Sequence, residues 1–172
     1  GMKSRRIALL MTHSINLFAY HLPLDVHPQF GNNALLGKKL GLIETGRFGD
    51  QGIAVQGELT QATTLSALGE KISRTLLRKP MMIGDRNKII RQIAWCTGAA
   101  QSYFEAAIQQ GVDAFITGEI SEQSVHAARE SGVAFIAAGH HATERYGVQA
   151  LGDHLAQKFG IQHQFIDIEN PV

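Results

Sequence analysis

The feature that most restricts the fold of this chain is a regular alternation of helical and strand patterns from Gly98 to Gly160. The segments AAQSYFEAAIQQG and SEQSVHAARESG have helical patterns, and each stops at a glycine, the residue preferred at a helix C-terminus. The apolar segments VDAFITGEI and VAFIAAG are typical of buried strands. Strands joined by helices of about a dozen residues indicate parallel βαβ units. We therefore predict an α/β fold with largely parallel pairing in this half.

The first part of the chain is less regular. Residues 2–13 have the pattern of a short helix, and the aromatic and β-branched content of Ile15–Tyr20 predicts a buried strand. Two prolines then predict a loop over HLPLDVHPQFGNN. At the end of this loop, Asn32 and Asn33 are candidate caps for the helix ALLGKKLG.

Consecutive strand patterns in the middle of the chain make the predicted sheet a mixed one, layered with helices. GRFGDQG is a turn-rich connector, IAVQGEL alternates like an exposed or edge strand, and MMIGD and IIRQIAWCTG are two further strand candidates. TTLSALGEKISRTLL predicts an amphipathic helix whose apolar face comprises Leu65, Leu68, Ile72 and Leu76. HATERYGVQALGDHLAQKFG predicts one long helix, and HQFIDI predicts a closing strand. The apolar stripe of that long helix comprises Val148, Leu151, Leu155 and Phe159.

Charge and composition argue against several classes of protein. The formal net charge is +1 and the basic residues are scattered, so we expect no nucleic-acid partner. No apolar segment approaches the ~20 residues of a membrane span, and no secretory signal is evident. The single cysteine, Cys96, is interpreted as a small buried side chain rather than a nucleophile. A lone thiol forms no intrachain disulfide, which favours a reducing, cytoplasmic location.

Two clusters of potential metal ligands follow predicted strands. YHLPLD contains His21 and Asp25, and GHHATE contains His140, His141 and Glu144. In open α/β sheets, ligands bind at the carboxyl ends of the strands, and a spacing of four residues places two side chains on one helix face. Imidazole and carboxylate together suit divalent ions such as zinc, iron or manganese. The alternative is that the histidines form hydrogen bonds at a helix start and that the helix dipole alone favours Glu144.

A third group lies at another strand end, where TGEISEQSVH places Thr117, Gly118 and Glu119. These residues form either a polar wall of the same site, with Glu119 as acid or base, or the start of a helix whose positive end favours Glu119. The small-residue loop TGAAQS is a candidate cradle for an anion. The chain has no P-loop lysine, Gly-x-Gly-x-x-Gly or Gly-x-Ser-x-Gly pattern, so neither a nucleotide fingerprint nor a serine hydrolase is indicated.

The segments INLFAYHLPLD, VDAFITGEISEQSVHAARESG, AGHHATERYGVQAL and the final FIDIENPV resemble the Nif-three-like family, often labelled the GTP cyclohydrolase I type 2 homologue family. The resemblance extends over essentially the whole chain and is closest to the bacterial branch. It implies a mixed α/β fold of two interlinked domains, a toroidal homo-oligomer, usually a hexamer, and two divalent metal ions facing an inner cavity. The family's metal ligands fall on Asp25, His140 and Glu144, and His21 and His141 line the same pocket.

The chain departs from the family pattern in two respects. The family has a further pair of adjacent histidines in an HHG segment upstream of the matching region, and its members extend beyond the first residue here. We therefore expect residues 1–172 to be a partial family domain, from a fragment or a late-assigned gene start, with weak or partial metal occupancy. Many members also have an aspartate after TG and a histidine four residues later, where this chain has Glu119 and Gln123.

These observations predict a divalent-metal-binding protein, expected to be a metal-dependent hydrolase of a nucleotide-like or phosphoester substrate. In this interpretation Asp25, His140 and Glu144 bind metal, and His21 or Glu119 transfers protons. His141, Thr117 and Gly118 line the pocket. The alternative is a non-catalytic metal-binding or regulatory scaffold that forms a homo-oligomeric ring.

Overall fold

A computed structural model describes all 172 residues and contains one six-stranded mixed sheet with helices on both faces. The strands are β1 Leu42–Phe48, β2 Ala54–Thr64, β3 Met81–Ile83, β4 Ile89–Trp95, β5 Ala114–Thr117 and β6 Ala134–Ala137. The helices are α1 Met2–Thr12, α2 Leu22–Val26, α3 Asn32–Leu40, α4 Leu65–Leu76, α5 Phe104–Gln109, α6 Glu122–Ser131, α7 His140–Glu144 and α8 Tyr146–Phe159. Single turns of 3₁₀ helix cover Asp50–Gly52 and Gln101–Tyr103.

The order of strands in the sheet is β1-β2-β4-β5-β6-β3. β4, β5 and β6 are parallel, with Ile93 opposite Ala114 and Phe115 opposite Phe135. The pairs β1-β2, β2-β4 and β3-β6 are antiparallel. The predicted mixed α/β fold is confirmed, including the parallel pairing in the C-terminal half.

Alternate residues of the central strands point into two separate cores on the two faces of the sheet. Ile93 and Trp95 pack into one core, together with the buried leucines of α3 and α4. Ala94 and Cys96 pack into the other, against α5 and α6. The predicted apolar face of α4 is confirmed, because Leu65, Leu68, Ile72 and Leu76 are all buried. The burial of Cys96 is also confirmed.

The predicted strand at Ile15–Tyr20 is wrong. These residues have no regular structure and all are exposed. Their aromatic and β-branched composition shows apolar character, but a strand also needs a neighbour to which its backbone groups can hydrogen-bond. This segment pairs with none of the six strands of the sheet.

The predicted loop over residues 21–33 contains two helical segments. Pro23 lies in the first turn of α2, where a proline removes no helical hydrogen bond. Asn32 and Asn33 do not cap α3, because they lie within it and Gly31 precedes it. The two asparagine side chains are buried and bind groups outside the helix. The two asparagines therefore connect α3 to other parts of the protein instead of capping it.

Two strands differ from their predicted positions. β1 ends within the segment interpreted as a connector, taking in its first three residues, and its pairing with β2 contains an irregularity between Glu44 and Gly46. β2 was expected to be exposed or at an edge, yet it lies between β1 and β4 and is therefore internal. Local alternation does not reveal which strands lie on either side of a given strand.

The C-terminal part also differs from expectation. The predicted long helix is divided at Arg145 into α7 and α8. Only Tyr146 and Gly147 of α8 are buried, and of its apolar stripe Val148 and Phe159 are exposed while Leu151 and Leu155 are partly buried. The predicted strand HQFIDI has no regular structure. The N-terminal helix α1 likewise has no buried residue. None of the helices combines the length and apolar character that crossing a membrane would need.

Candidate metal centre

The candidate site lies where the three parallel strands end. β4, β5 and β6 lead into loops that contain Gly98, Gly118 and Gly139, respectively. The Gly118 amide donates to the carbonyl of Gly98 at 2.8 Å, and the Gly139 amide donates to the carbonyl of Gly118 at 2.9 Å. Thr143 extends the connection, since its hydroxyl accepts from the Gly98 amide and donates to the carbonyl of Gly139. The three loops therefore form one hydrogen-bonded platform.

Two of these glycines allow very close packing. A Cβ at Gly118 would lie 2.6 Å from the carbonyl oxygen of Gly98 and 2.6 Å from the Cα of His140. A Cβ at Gly98 would lie 2.7 Å from Oε2 of Glu144, and the φ angle of Gly98 is +70°, a conformation that favours glycine. The backbone thus approaches the acidic side chain with no room for another atom.

Helix α7 presents His140 and Glu144 on one face, as their spacing predicts. Nε2 of His140 lies 2.5 Å from Oε2 of Glu144. The other ring nitrogen, Nδ1, lies 2.7 Å from Oε1 of Glu119. Burial lowers the pKa of His140, but the hydrogen bond to Glu119 and the charge of Glu144 outweigh burial, so this pKa lies above its usual range. Glu119 precedes α6, which begins at Glu122, and so does not belong to that helix.

Helix α2 brings a second acidic group to the same place. Asp25 is the only buried residue of α2, and its Oδ1 accepts a hydrogen bond of 2.8 Å from the amide of Asn32. His21, Asp25 and Glu144 each offer one ligand atom, and these atoms lie within 4.8 Å of one another. His21 is therefore a candidate ligand as well as a candidate proton carrier. His140 lies next to this group through its contact with Glu144.

The electrostatics of the group suit a cation. Burial raises the pKa of Glu144, the negative charge of Asp25 raises it further, and His140 opposes both effects. Asp25 is 5% exposed and forms no salt bridge with a lysine or arginine. A buried carboxylate and a partly buried one beside histidine nitrogens are a donor set that divalent ions bind. The residues present thus fit the metal that the sequence pattern suggests.

The remaining candidate pocket residues have different surroundings. Thr117 is fully buried, and its hydroxyl joins the carbonyl of Gly98 to the amide of Ala100. Gly118 and Glu119 border a cavity of about 400 Å³. The ring of His141 lies outside the ligand group, with its Nε2 2.8 Å from Oδ1 of Asp167 in the C-terminal segment.

Three backbone amides of the TGAAQS loop, the candidate anion cradle, are used within the protein. The amide of Thr97 donates to Asn33, the amide of Gly98 to Thr143, and the amide of Ala100 to Thr117. These three donors hold the loop to Asn33, Thr143 and Thr117.

Two residues that support the site, Asn32 and Asn33, were interpreted from the sequence only as candidate helix caps. The amide of Asn32 binds Asp25, while its carbonyl oxygen accepts from the backbone of Gly147 at the start of α8. Asn33 accepts from the backbone of Thr97 and donates to the carbonyl of Ile53. Two adjacent asparagines within a helix were the available signal, since asparagine is a poor helix former that favours caps.

These features define a class of protein: a mixed α/β protein with a candidate divalent-metal centre at the carboxyl ends of its parallel strands. The sequence profile of the family described as Duf34/NIF3 (NGG1p interacting factor 3) matches residues 1–171. The chain belongs to this family, which confirms the resemblance drawn from its motifs.

Bacterial relatives and solved structures agree with this assignment. A protein of Neisseria meningitidis serogroup B named GTP cyclohydrolase 1 type 2 homolog is 52% identical over 171 residues, covering 99% of this chain and 69% of its own length. A protein of the same name from Pseudomonas aeruginosa is 51% identical over 176 residues, with the same coverage. The structure of protein ybgI, described as of unknown function, is 46% identical with a TM-score of 0.96, covering 100% of this chain and 69% of that one.

Proposed function

We propose that this chain is a divalent-metal-binding protein that acts as a metal-dependent hydrolase on a nucleotide-like or phosphoester substrate. The observation that carries the proposal is the convergence of His21, Asp25 and Glu144, whose ligand atoms lie within 4.8 Å of one another. Residues 21 and 144 are far apart in sequence, so the fold itself assembles this set. The names of the bacterial relatives make GTP one compound to test.

In this proposal, His21, Asp25 and Glu144 would hold the ion, and Nε2 of His140 would join them. A bound divalent ion would supply a Lewis acid and lower the pKa of a water molecule. Asn32 holds Asp25 in place through its amide, and Gly98 lets the backbone pack against Glu144. Because few ligand side chains are available, we expect fewer than two ions per chain at saturation.

The cavity beside Glu119 supports an anionic substrate. Arg78 and Lys79 line this cavity of about 400 Å³ together with Gly118 and Glu119. Two cationic side chains near the candidate metal centre would favour the negative charge of a phosphoester. Arg78 also donates to the carbonyl oxygen of Pro171 at 2.5 Å, so it is held against the cavity by the C-terminal segment.

The test is metal binding and hydrolysis measured on the same preparations. The purified chain, stripped with a chelator, is titrated with Zn²⁺, Mn²⁺ and Fe²⁺, and each loaded form is assayed against GTP, other nucleotides and simple phosphoesters. We expect metal binding and turnover in the wild-type chain, and loss of both in Glu144→Gln. Asp167→Asn is the matched control, because Asp167 lies outside the ligand group and should leave both unchanged.

A second candidate function is a non-catalytic metal-binding or regulatory scaffold in a homo-oligomeric ring, with a hexamer as the expected assembly and the cytoplasm as the expected location. The apolar surface of α1 favours it, because Met2, Ile7, Leu9 and Met11 are each more than half exposed. Metal binding without turnover on any substrate would contradict the hydrolase and leave the scaffold. Light scattering on the loaded and stripped chain then tests whether the assembly depends on metal.

A further inference from the structure

We propose that Glu119 is a positioning residue that fixes the ring of His140, so that Nε2 of His140 is presented to the metal beside Glu144. The inference rests on the proposed metal site and adds to it a residue that acts through a ligand. It assigns Glu119 a role distinct from the acid or base expected from the sequence.

The two contacts of the His140 ring carry this inference. Nδ1 lies 2.7 Å from Oε1 of Glu119, and Nε2 lies 2.5 Å from Oε2 of Glu144. A neutral imidazole has one N–H donor and one lone pair for a metal. When the Nδ1 proton is donated to Glu119, the lone pair is on Nε2, the nitrogen next to Glu144. Carboxylates that bind the distal nitrogen of a ligating histidine set its tautomer and its orientation in this way.

The backbone fixes the position of Glu119. Glu119 directly follows Gly118, whose carbonyl accepts from the amide of Gly139 at 2.9 Å, one residue before His140. A Cβ at Gly118 would lie 2.6 Å from the Cα of His140, so the two loops are in direct contact. The side chain of Glu119 is one-third exposed, at 33%, and borders the cavity on its other side.

Glu119 is also separate from the ligand group itself. Neither Glu119 nor His140 belongs to the group of His21, Asp25 and Glu144, but Nε2 of His140 lies beside Glu144 and so reaches that group. Glu119 contacts the centre through Nδ1 of His140, the ring nitrogen that faces away from Glu144. Its influence on a bound ion is therefore exerted through the orientation of His140.

The experiment compares Zn²⁺ affinity in the wild-type chain, Glu119→Ala, Glu119→Gln and Asp167→Asn, using competition with a chromophoric chelator. We expect about 10- to 100-fold weaker binding in Glu119→Ala. Glu119→Gln should retain most of the affinity, since its amide oxygen can accept the same Nδ1 proton. Asp167→Asn removes the equivalent carboxylate from the adjacent His141, whose contact is 2.8 Å, and should leave the affinity unchanged.

Nitrogen NMR of the His140 ring in the zinc-loaded wild-type chain gives a readout that general destabilisation does not affect. We expect a protonated Nδ1 and a metal-bound Nε2, and loss of this single state in Glu119→Ala. Unchanged affinity in Glu119→Ala, or a protonated Nε2 in the wild-type chain, would overturn the inference while leaving the metal site intact. Failure of the wild-type chain to bind zinc would overturn the proposed function as well, and the wild-type titration alone distinguishes the two results.

Discussion

At the scale of single residues, Asp25 and Glu144 oppose each other electrostatically in a setting that a cation would relieve. Asp25 is buried and Glu144 is partly buried, and the charge of Asp25 adds to the effect of burial in raising the pKa of Glu144. Without a bound ion, this repulsion lowers the stability of the folded chain. Stability and metal binding are therefore expected to conflict at these two positions.

Replacing Asp25 by asparagine should show this conflict. Asp25→Asn removes the repulsion, and its amide oxygen can still accept from Asn32. With a chelator present, we expect the free energy of unfolding to be higher than that of the wild-type chain by on the order of 1 kcal/mol. We also expect added Zn²⁺ to stabilise the variant no further. Urea unfolding with and without Zn²⁺ measures both. A stripped variant less stable than the stripped wild-type chain would contradict the electrostatic argument.

The reactivity of Cys96, which lies in the core against α5 and α6, should depend on pH. Burial raises the pKa of its thiol from 9.0 to about 12, against a hydrogen bond with Asn33 that lowers it. The thiolate is the reactive form, so at pH 8 the folded chain should react with a disulfide reagent about 1,000-fold more slowly than the urea-unfolded chain. The rate should then rise tenfold per pH unit through the range below 12. A folded rate that levels off near pH 9 would show that the thiol is not held in its neutral form.

At the scale of elements, the contact between the β5 and β6 loops depends on Gly118. An alanine there would place its Cβ 2.6 Å from backbone atoms of two neighbouring loops. We expect Gly118→Ala to lower the free energy of unfolding by about 1–3 kcal/mol and to weaken metal binding, because Glu119 and His140 are forced apart. Gly46→Ala is the matched control, since its Cβ would have only one neighbour, at 3.9 Å. Equal effects of the two variants on metal affinity would contradict the argument.

The elements also show what the sequence reveals and what it does not. The alternation from Gly98 onward correctly predicts β5, α6 and β6, because the two strands are continuous apolar runs and the helix between them ends at a glycine. The spacing of His140 and Glu144 correctly predicts a shared helix face. The strand predicted at Ile15–Tyr20 does not form, because a strand needs a partner strand and local composition does not show whether one is available. The contact of Glu119 with His140 could not be predicted either, because it depends on how closely two loops approach.

At the scale of the whole molecule, the helices at the two ends of the chain bury far fewer side chains than those at its centre. α1 has no buried residue, whereas α4 buries its entire apolar face. Ile7 is 58% exposed and Met11 is 75% exposed, and their spacing of four residues places both on one face of α1. Apolar side chains grouped on one exposed helix mark a surface for association. The same surface contributes little to the stability of a single chain.

Serine substitutions on α1 test whether its apolar side chains serve association rather than the stability of a single chain. We expect Ile7→Ser combined with Met11→Ser to change the free energy of unfolding of the single chain by about 0.5 kcal/mol or less. The double variant should shift the mass measured by light scattering toward that of one chain. Leu68→Ala, at a fully buried position of α4, should cost about 2–5 kcal/mol without that shift. An unchanged mass in the double variant would exclude α1 from the association surface.

The attachment of α2 has a kinetic consequence. Residues 11–20 are exposed throughout, and α2 is anchored by Asp25, so two of the three grouped ligands lie on a segment that can open locally. Metal removal by a chelator should therefore reach a plateau rate, independent of chelator concentration, that equals the rate of opening. Asn32→Ala should raise this plateau about 5- to 10-fold, and Asn87→Ala, in an exposed turn, should not. Stopped-flow measurements that remain proportional to chelator concentration would show that the ion leaves without any opening of α2.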